Sequence, residues 1–391
     1  MGRDHIPERV KLHIEALERG FGENPFDTAV DRMIGLGIAG DMEWNHLESW
    51  VHRARIREAY GPPFRTPAKT RGRLIGGHCQ DGRRIRCRPQ AFNRPCFTSA
   101  ASGSGKTIKS YFLIFQLACM IRGLWLFDFR KREFGILRPY LARLGVDLIV
   151  LAAQEMRLNL LQVPRLTDPR SYAAVLVDAL IGVLKLPMQA SKLLLYILLE
   201  LYREFGVLNG SSRFPVLAEL RDAVAASTHG HPESRRAIVD SLNVVLATLP
   251  EVFQWRIGWE AEDLAKYKIA FDFYGVFVTM QNLLLNAIWL PLMFSRIQLG
   301  VSNAAMNLYI VCDEAARLCG TADGSLADVI GAIRGTGVGL DLSVQSADVT
   351  RAILSKTSNK FLGRCACAND YDVLAAAMGL TGGQRRWLPT H

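Results

Sequence analysis

Short apolar runs alternate with helix-period segments in two stretches of this chain. No other feature restricts the fold as much. In the first stretch "NRPCFTSA" leads into "ASGSGKT", and "TIKSYFLIFQLACMIRG" then has apolar residues at three- and four-residue spacing. "LWLFDF" is a buried-strand run ending in Asp128, "REFGILRPYLARLG" is helical in pattern and stops at Gly145, and "VDLIVL" is a further strand. The alternation returns in "KIAFDF", "NLYIVCDEA", "LADVIGAIRG", "VGLDLSVQS", "KFLGRC" and "DYDVLAAAMGL". Strands separated by helices pair in parallel and bury both faces of their sheet. The expected class is therefore α/β, a mainly parallel sheet with helices on both faces.

Between the two stretches the alternation stops. "SYAAVLVDALIGVL", "SKLLLYILLELYREFG", "PVLAELRDAVAAS" and "SRRAIVDSLNVVLATL" all have helical spacing, which predicts an all-helical insertion over residues 168–266. It divides the core into a first part, 65–167, and a second part, 267–391. Residues 1–64 form a helical region of their own, carried by "PERVKLHIEALERGF" and "EWNHLESWVHRARIREAY". "GPPFRTPAKTRG" reads as the linker, and "RLIGGHCQDGRRIRCRP" as two short strands around the turn at Asp81 and Gly82.

At 391 residues and 49% hydrophobic, the chain can bury a large core. The eight cysteines form no C-x-x-C pair; several, Cys119 and Cys312 among them, sit in apolar runs and read as buried thiols of a reducing, cytoplasmic compartment. The first residues lack the apolar stretch of a signal peptide. "FYGVFVTMQNLLLNAIWLPLMF", Phe273 to Phe294, is uncharged and long enough to cross a bilayer. Gln281, Asn282 and Asn286 are costly in lipid, however, and Gly275 and Pro291 divide the run, so a buried strand feeding a buried helix is expected.

The chemistry centres on "SAASGSGKTIKS". Strand, glycine-rich turn and helix are the context of a phosphate-binding loop, whose pattern is G-x-x-x-x-G-K-[ST]. Here Gly105, Lys106 and Thr107 match, and Ala100 stands where the first glycine belongs. Were that position left-handed, alanine there would cost about 1–2 kcal/mol. The cradle itself is formed by Ala101, Ser102, Gly103, Ser104, Gly105, Lys106, Thr107 and Ile108, whose N–H groups converge at a helix N-terminus. Lys106 neutralises β- and γ-phosphates, and Thr107 offers a hydroxyl to Mg²⁺, so the cofactors expected are ATP and Mg²⁺. In "NLYIVCDEAARL" a buried run ends in Asp313 and Glu314, which either bind the metal through water and act as general base, respectively, or are a surface carboxylate pair starting a helix. In "GVGLDLSVQSADV" a strand ends at Gln345, whose amide either orients the attacking water or is a solvated strand end.

The order of these blocks resembles the HerA/FtsK division of P-loop ATPases, nearest the HerA-like translocases and the ATPases of type IV secretion and conjugation. "AASGSGKT", "LFDFRKREFGILRPYLARLGVDLIVL" with "RLNLLQVP", "KIAFDF", "YIVCDEAARL", "IRGTGVGLDLSVQS" and "TSNKFLGRCA" through "NDYDVLAAAMGL" are similar to successive blocks of that family, over residues 70 to 385. The resemblance implies a RecA-like P-loop NTPase core and a homo-hexameric ring. It implies that Arg334 reaches a neighbouring subunit's nucleotide and that Arg364 is the arginine closing the last core strand. The chain departs from the pattern at Ala100, at Gly335 where a lysine is usual, and at Leu160 where a proline is usual after Asn159. It also stops at "GGQRRWLPTH", where relatives continue through another helix and strand.

Net charge is +10, with 36 arginines to 11 lysines, a balance that suits a polyanionic partner. Residues 65–94 carry nine basic side chains and one acid, Asp81. Arg83, Arg84, Arg86 and Arg88 in this stretch either track DNA phosphates or form a solvated hairpin or docking face. The resemblance thus implies an ATP-driven ring motor translocating DNA. Its alternatives are a type IV secretion ATPase working on protein or protein–DNA substrates, at the inner face of a membrane with partner proteins, or a slow nucleotide-gated assembly scaffold. The absence of N-terminal membrane spans weighs against a conjugative coupling protein of the usual build.

Overall fold

The computed structural model describes residues 7–22, 25–60, 71–78, 83–101, 103–301, 305–313, 330, 333, 335–345, 351–364 and 368–387. The chain divides into two compact units, residues 1–66 with 380–391, and residues 67–379.

The smaller unit contains α1 (Glu8–Glu18), α2 (Pro25–Gly35) and α3 (Asp41–Tyr60), and the short helix Gly382–Trp387 also belongs to it. Ala16, Phe21, Val30, Ile34, Leu47 and Val51 form its core. Around this core Arg55 makes a two-pronged contact with Glu15, and His46 and His13 bond Asp27 and Asp31.

In the larger unit, β1 (Leu74–His78) and β2 (Arg84–Cys87) make an antiparallel pair. Next come β3 (Cys96–Ser99), α4 (Lys106–Ala118), β4 (Gly123–Asp128), α5 (Arg138–Ala142) and β5 (Ile149–Ala152). The helices α6 (Pro169–Leu184), α7 (Ala190–Glu204), α8 (Leu217–Ala226), α9 (Pro232–Thr248) and α10 (Ala261–Leu264) follow. The chain then continues through β6 (Lys268–Asp272), α11 (Val278–Gln298), β7 (Leu308–Asp313), β8 (Val338–Val344), α12 (Arg351–Lys356), β9 (Asn359–Leu362) and α13 (Ala368–Met378).

Seven strands form one parallel sheet in the order β5-β6-β4-β7-β8-β3-β9. The central strands β3, β4 and β8 are buried along their whole length, as a sheet covered on both faces requires. With helices on both sides, this is the α/β class expected from the alternation and the RecA-like P-loop NTPase fold that the resemblance implies. On one side α4 packs Leu113, Ile114 and Leu117 against the sheet, in a cluster with Leu124, Leu126 and Val311.

The helices between β5 and β6 bury their own apolar stripes, α6 against α7 and α11, and α8 against α7 and α9. Asn159 ties this block to the sheet side. Its amide donates to the Pro215 and Arg256 carbonyls at 3.0 and 2.9 Å, and its oxygen accepts the Leu161 N–H. The turn is thus held by side-chain hydrogen bonds although Leu160 is not a proline.

Among the described residues, α11 is the one helix long and apolar enough to cross a membrane, and 67% of that apolar stretch is buried inside the fold. The Gln281 amide, costly in lipid, donates to the Phe129 and Phe273 carbonyls here. One expectation needs correcting. Cys96 and Cys312 are buried, but Cys119 is exposed. It caps the C-terminus of α4, where the helix has already passed its apolar stripe to Leu117 and Ala118, so an apolar neighbourhood in sequence did not mean burial.

Candidate functional site: a cleft at the carboxyl ends of the strands

A cleft of about 230 Å³ opens where β3, β4, β7 and β8 end. Carboxyl ends of parallel strands are where α/β sheets bind ligands, because loops and helix N-termini converge there. From the phosphate-type loop and the start of α4 it is lined by Ala101, Gly103, Gly105, Lys106, Thr107 and Ile108; Asp313 and Gln345 face them from β7 and from just past β8. These residues, up to 244 positions apart in sequence, are therefore brought together (Ala101 and Gln345 being the extremes). Ser104 closes the loop on itself, its hydroxyl donating to the Ala101 carbonyl. Ser102, Glu314 and Arg334 lie outside the described residues. Arg364 is exposed and joins the site only through its backbone, its carbonyl accepting the Ala101 N–H at 2.6 Å.

The loop takes its shape from two glycines. Gly103 and Gly105 have φ of +77° and +92°, a region where side chains are disfavoured, and Gly105 forms the N-cap of α4. Ala100 is not among the positive-φ residues, so the strain anticipated for an alanine there is absent. Its methyl group is buried beside Gly363, where a built Cβ would lie 2.6 Å from the Ala100 Cβ. The missing glycine is thus accommodated by a glycine just past the neighbouring strand, β9. Both sides of the loop base are pinned: the Ala100 N–H donates to Val344 at 3.3 Å and the Gly363 N–H to Ser99 at 2.9 Å.

Strand order decides which groups meet. β8 lies between β3 and β7, so Gln345 projects between the loop and Asp313. The Lys106 ammonium donates to the Ala100 and Ala101 carbonyls of its own loop. One turn further along α4, Lys109 reaches the fully buried Asp341 of β8 at 2.6 and 2.8 Å, donates to Thr98 at 2.9 Å, and sits 4.3 Å from the Phe361 ring centre. This buried pair joins the helix bearing Lys106 and Thr107 to the strand that ends beside Gln345.

One wall of the cleft comes from a segment to which the sequence pattern assigns no role at the site. Asp128, Phe129, Arg130, Lys131, Glu133 and Phe134, all following β4, also line it. Asp128 organises this wall, its carboxylate accepting the N–H groups of Lys131, Arg132 and Phe134 at 3.3, 3.1 and 3.0 Å. Burial raises its pKa above the usual carboxylate value, and the hydrogen bonds from Phe134 and Lys131 oppose the rise. Glu133 comes within 3.4 Å of the Thr107 hydroxyl, which donates to it. The neighbouring Tyr111 hydroxyl is pushed up to about 12, first by burial and then by the charges of Glu133, Asp128 and Asp313. The signal available in the sequence is the apolar run ending in Asp128, followed after Phe129 by three basic residues and an acid.

The predicted arginines lie elsewhere. Arg84 and Arg86 alternate along β2 with the half-buried Ile85 and Cys87, and all four of Arg83, Arg84, Arg86 and Arg88 are exposed. Period-two alternation puts Arg84 and Arg86 on one face. The other strand of the hairpin is fastened to α4 by Gln116, which bonds the Ile75 N–H and carbonyl at 2.7 and 3.0 Å.

No family model matches the chain, and no curated protein matches it. Solved structures do. VirB4 of Thermoanaerobacter pseudethanolicus superposes with a TM-score of 0.61 at 18% identity, over 82% of this chain and 91% of that one. The plasmid coupling protein TrwB, in complex with ADP and Mg²⁺, gives a TM-score of 0.48 at 16% identity, over 80% of this chain and 73% of that one. At such identities the likeness concerns the backbone. The chain has the RecA-like P-loop NTPase fold and shares it with VirB4 over most of its length.

Proposed function

We propose that the chain is an ATP-binding and ATP-hydrolysing ring motor that translocates DNA, of the HerA/FtsK-like kind. One observation carries the reading: a single cleft unites the glycine loop, Lys106, Thr107, Asp313 and Gln345. In this reading residues 65–167 and 267–391 are the ATPase core, 168–266 its helical insertion, and 1–64 a separate helical region. The assembly is a cytoplasmic homo-hexamer.

The residues present fit a nucleotide triphosphate with Mg²⁺. Two left-handed glycines and the first turn of α4 leave backbone N–H groups without helical partners, which suit phosphate oxygens. Thr107 and Asp313 supply the hard oxygen donors that Mg²⁺ takes, and bound there it offsets charge on the phosphate oxygens. Lys106, now on its own loop carbonyls, exchanges them for β- and γ-phosphate oxygens. Gln345 orients the attacking water and Glu314 accepts its proton as the new P–O bond forms and the bond to the ADP oxygen breaks. Arg334 of a neighbouring subunit steadies the charge that develops, and Arg364 closes the site on the loop side.

DNA as the substrate is supported by the net charge of +10 and by the exposed arginines of β2. The deciding measurement is ATP turnover with and without DNA across a salt series. Stimulation that fades with salt supports the motor. Turnover indifferent to DNA moves the reading to a secretion ATPase acting on protein, and tight ATP binding with negligible turnover moves it to a scaffold.

A further inference from the structure

At the same end of the sheet, β6 runs beside β4 with Asp272 opposite Asp128, so the loops leaving the two strands are neighbours. The β4 loop presents Arg130, Lys131 and Arg132 in succession, all exposed. The β6 loop presents Tyr274 and Phe277, 52% and 76% exposed. The two loops are tied together. Arg132 Nε pairs with Asp272 at 2.9 Å, and its guanidinium lies 4.9 Å from the Tyr274 ring centre. The second Asp272 oxygen accepts the Tyr274 N–H at 2.9 Å. Arg132 has φ of +52°, uncommon for a residue other than glycine, and the Asp128 carboxylate holds its N–H in that conformation.

Two large aromatic side chains in water beside three consecutive cations, on a loop fixed by hydrogen bonds, match one class of ligand well. Cations meet phosphates, and aromatic faces meet the faces of bases. A B-form duplex keeps its base faces stacked inside; a single strand offers them. We propose that Tyr274 and Phe277, with Arg130, Lys131 and Arg132, form a contact surface for single-stranded DNA. The inference rests on the DNA reading above and goes beyond it by naming the form of DNA and the place it lies. Arg130 and Lys131 also line the cleft, so this surface adjoins the nucleotide site.

The test is fluorescence anisotropy of the full chain with fluorescein-labelled oligo(dT) and with a duplex of equal length. Tyr274→Ala and Phe277→Ala are each expected to weaken oligo(dT) binding about tenfold, the size of one lost base–aromatic stack. Duplex affinity is expected to stay within about twofold, because phosphate contacts remain. Tyr274→Phe is expected to bind oligo(dT) like wild type, since the ring is kept. Both alanine variants are expected to bind a fluorescent ATP analogue normally, since neither residue lines the cleft and both side chains are exposed. Alanine variants that bind oligo(dT) as wild type does, or that lose duplex binding equally, overturn the proposal and leave the DNA reading standing. Wild-type protein that binds neither form overturns the DNA reading, and this surface with it.

Discussion

Gly363→Ala tests the account of the loop most directly. The added methyl group would lie 2.6 Å from the Ala100 Cβ, well inside van der Waals contact. Neither group is the end of a flexible side chain, so relief requires the backbone to move. That backbone is held on both sides, by the Ala100 N–H on Val344 and the Gly363 N–H on Ser99. Overpacking of this kind costs about 1–3 kcal/mol. Residues 67–379 form the unit concerned, and at about 2.1 cal/mol/K per residue its unfolding entropy is about 0.66 kcal/mol/K. The expected fall in Tm is therefore about 1.5–4.5 °C, read by differential scanning calorimetry on a reversible transition. The Ala100 carbonyl also receives the Lys106 ammonium, so ATP affinity falls in the same variant. Ala100→Gly alone is expected to bring no gain in Tm, because Ala100 is not at positive φ and its methyl group is buried. The double variant Ala100→Gly/Gly363→Ala moves the methyl group across the gap and is expected to recover both Tm and affinity. A harmless Gly363→Ala, or a double variant as unstable as the single, would refute the idea that the two positions share one methyl-sized space.

Lys106→Ala is expected to abolish ATP binding or turnover in a nucleotide-binding and phosphate-release assay; wild-type behaviour would remove the phosphate-loop assignment. Lys109→Met leaves the Asp341 carboxylate, 0% exposed, without its cation and is expected to destabilise the larger unit by about 3–5 kcal/mol in urea unfolding. Lys109→Met/Asp341→Leu should regain most of that loss, and a double variant no better than the single would argue against the pair. Glu314→Gln is expected to keep ATP affinity while turnover falls, and unchanged turnover would place the general base elsewhere. Arg334→Ala and Lys106→Ala are each expected to be inactive alone and to regain partial turnover when co-assembled; mixed rings, verified by native mass spectrometry, that stay inactive would count against Arg334 acting in trans. Reversing Arg83, Arg84 and Arg86 to glutamate should flatten the salt dependence of DNA binding, and an unchanged slope would take the β2 face out of the contact.

Among the described residues, local pattern was enough for the elements and for the loop; most of the expected LADVIGAIRG helix and the turn at Asp81 and Gly82 lie outside them. The short run Cys96–Ser99 before Ala100, the two glycines and the helix-period segment after them read as strand, turn and helix, because backbone propensity and side-chain periodicity are properties of neighbouring residues. The same holds for the carboxylate at the end of β7, and for α11, whose polar residues marked it as a core helix although its length and hydropathy suit a membrane. What the sequence by itself could not determine depends on contacts between residues far apart in the chain. Strand order is one such property: β8 between β3 and β7 brings Gln345 to Asp313 and the loop, and nothing local to β8 encodes its neighbours. The wall formed by Asp128 to Phe134 is another, since its place over Thr107 follows from β4 lying beside β7. Ala100 is the clearest case. From sequence it was a defect in a motif, judged by a backbone strain it does not have. Tertiary structure set its φ and placed Gly363, 263 residues later, where the extra methyl group needed room. Steric fit belongs to the pair of surfaces that meet, and the chain does not state which surfaces those are until it is folded.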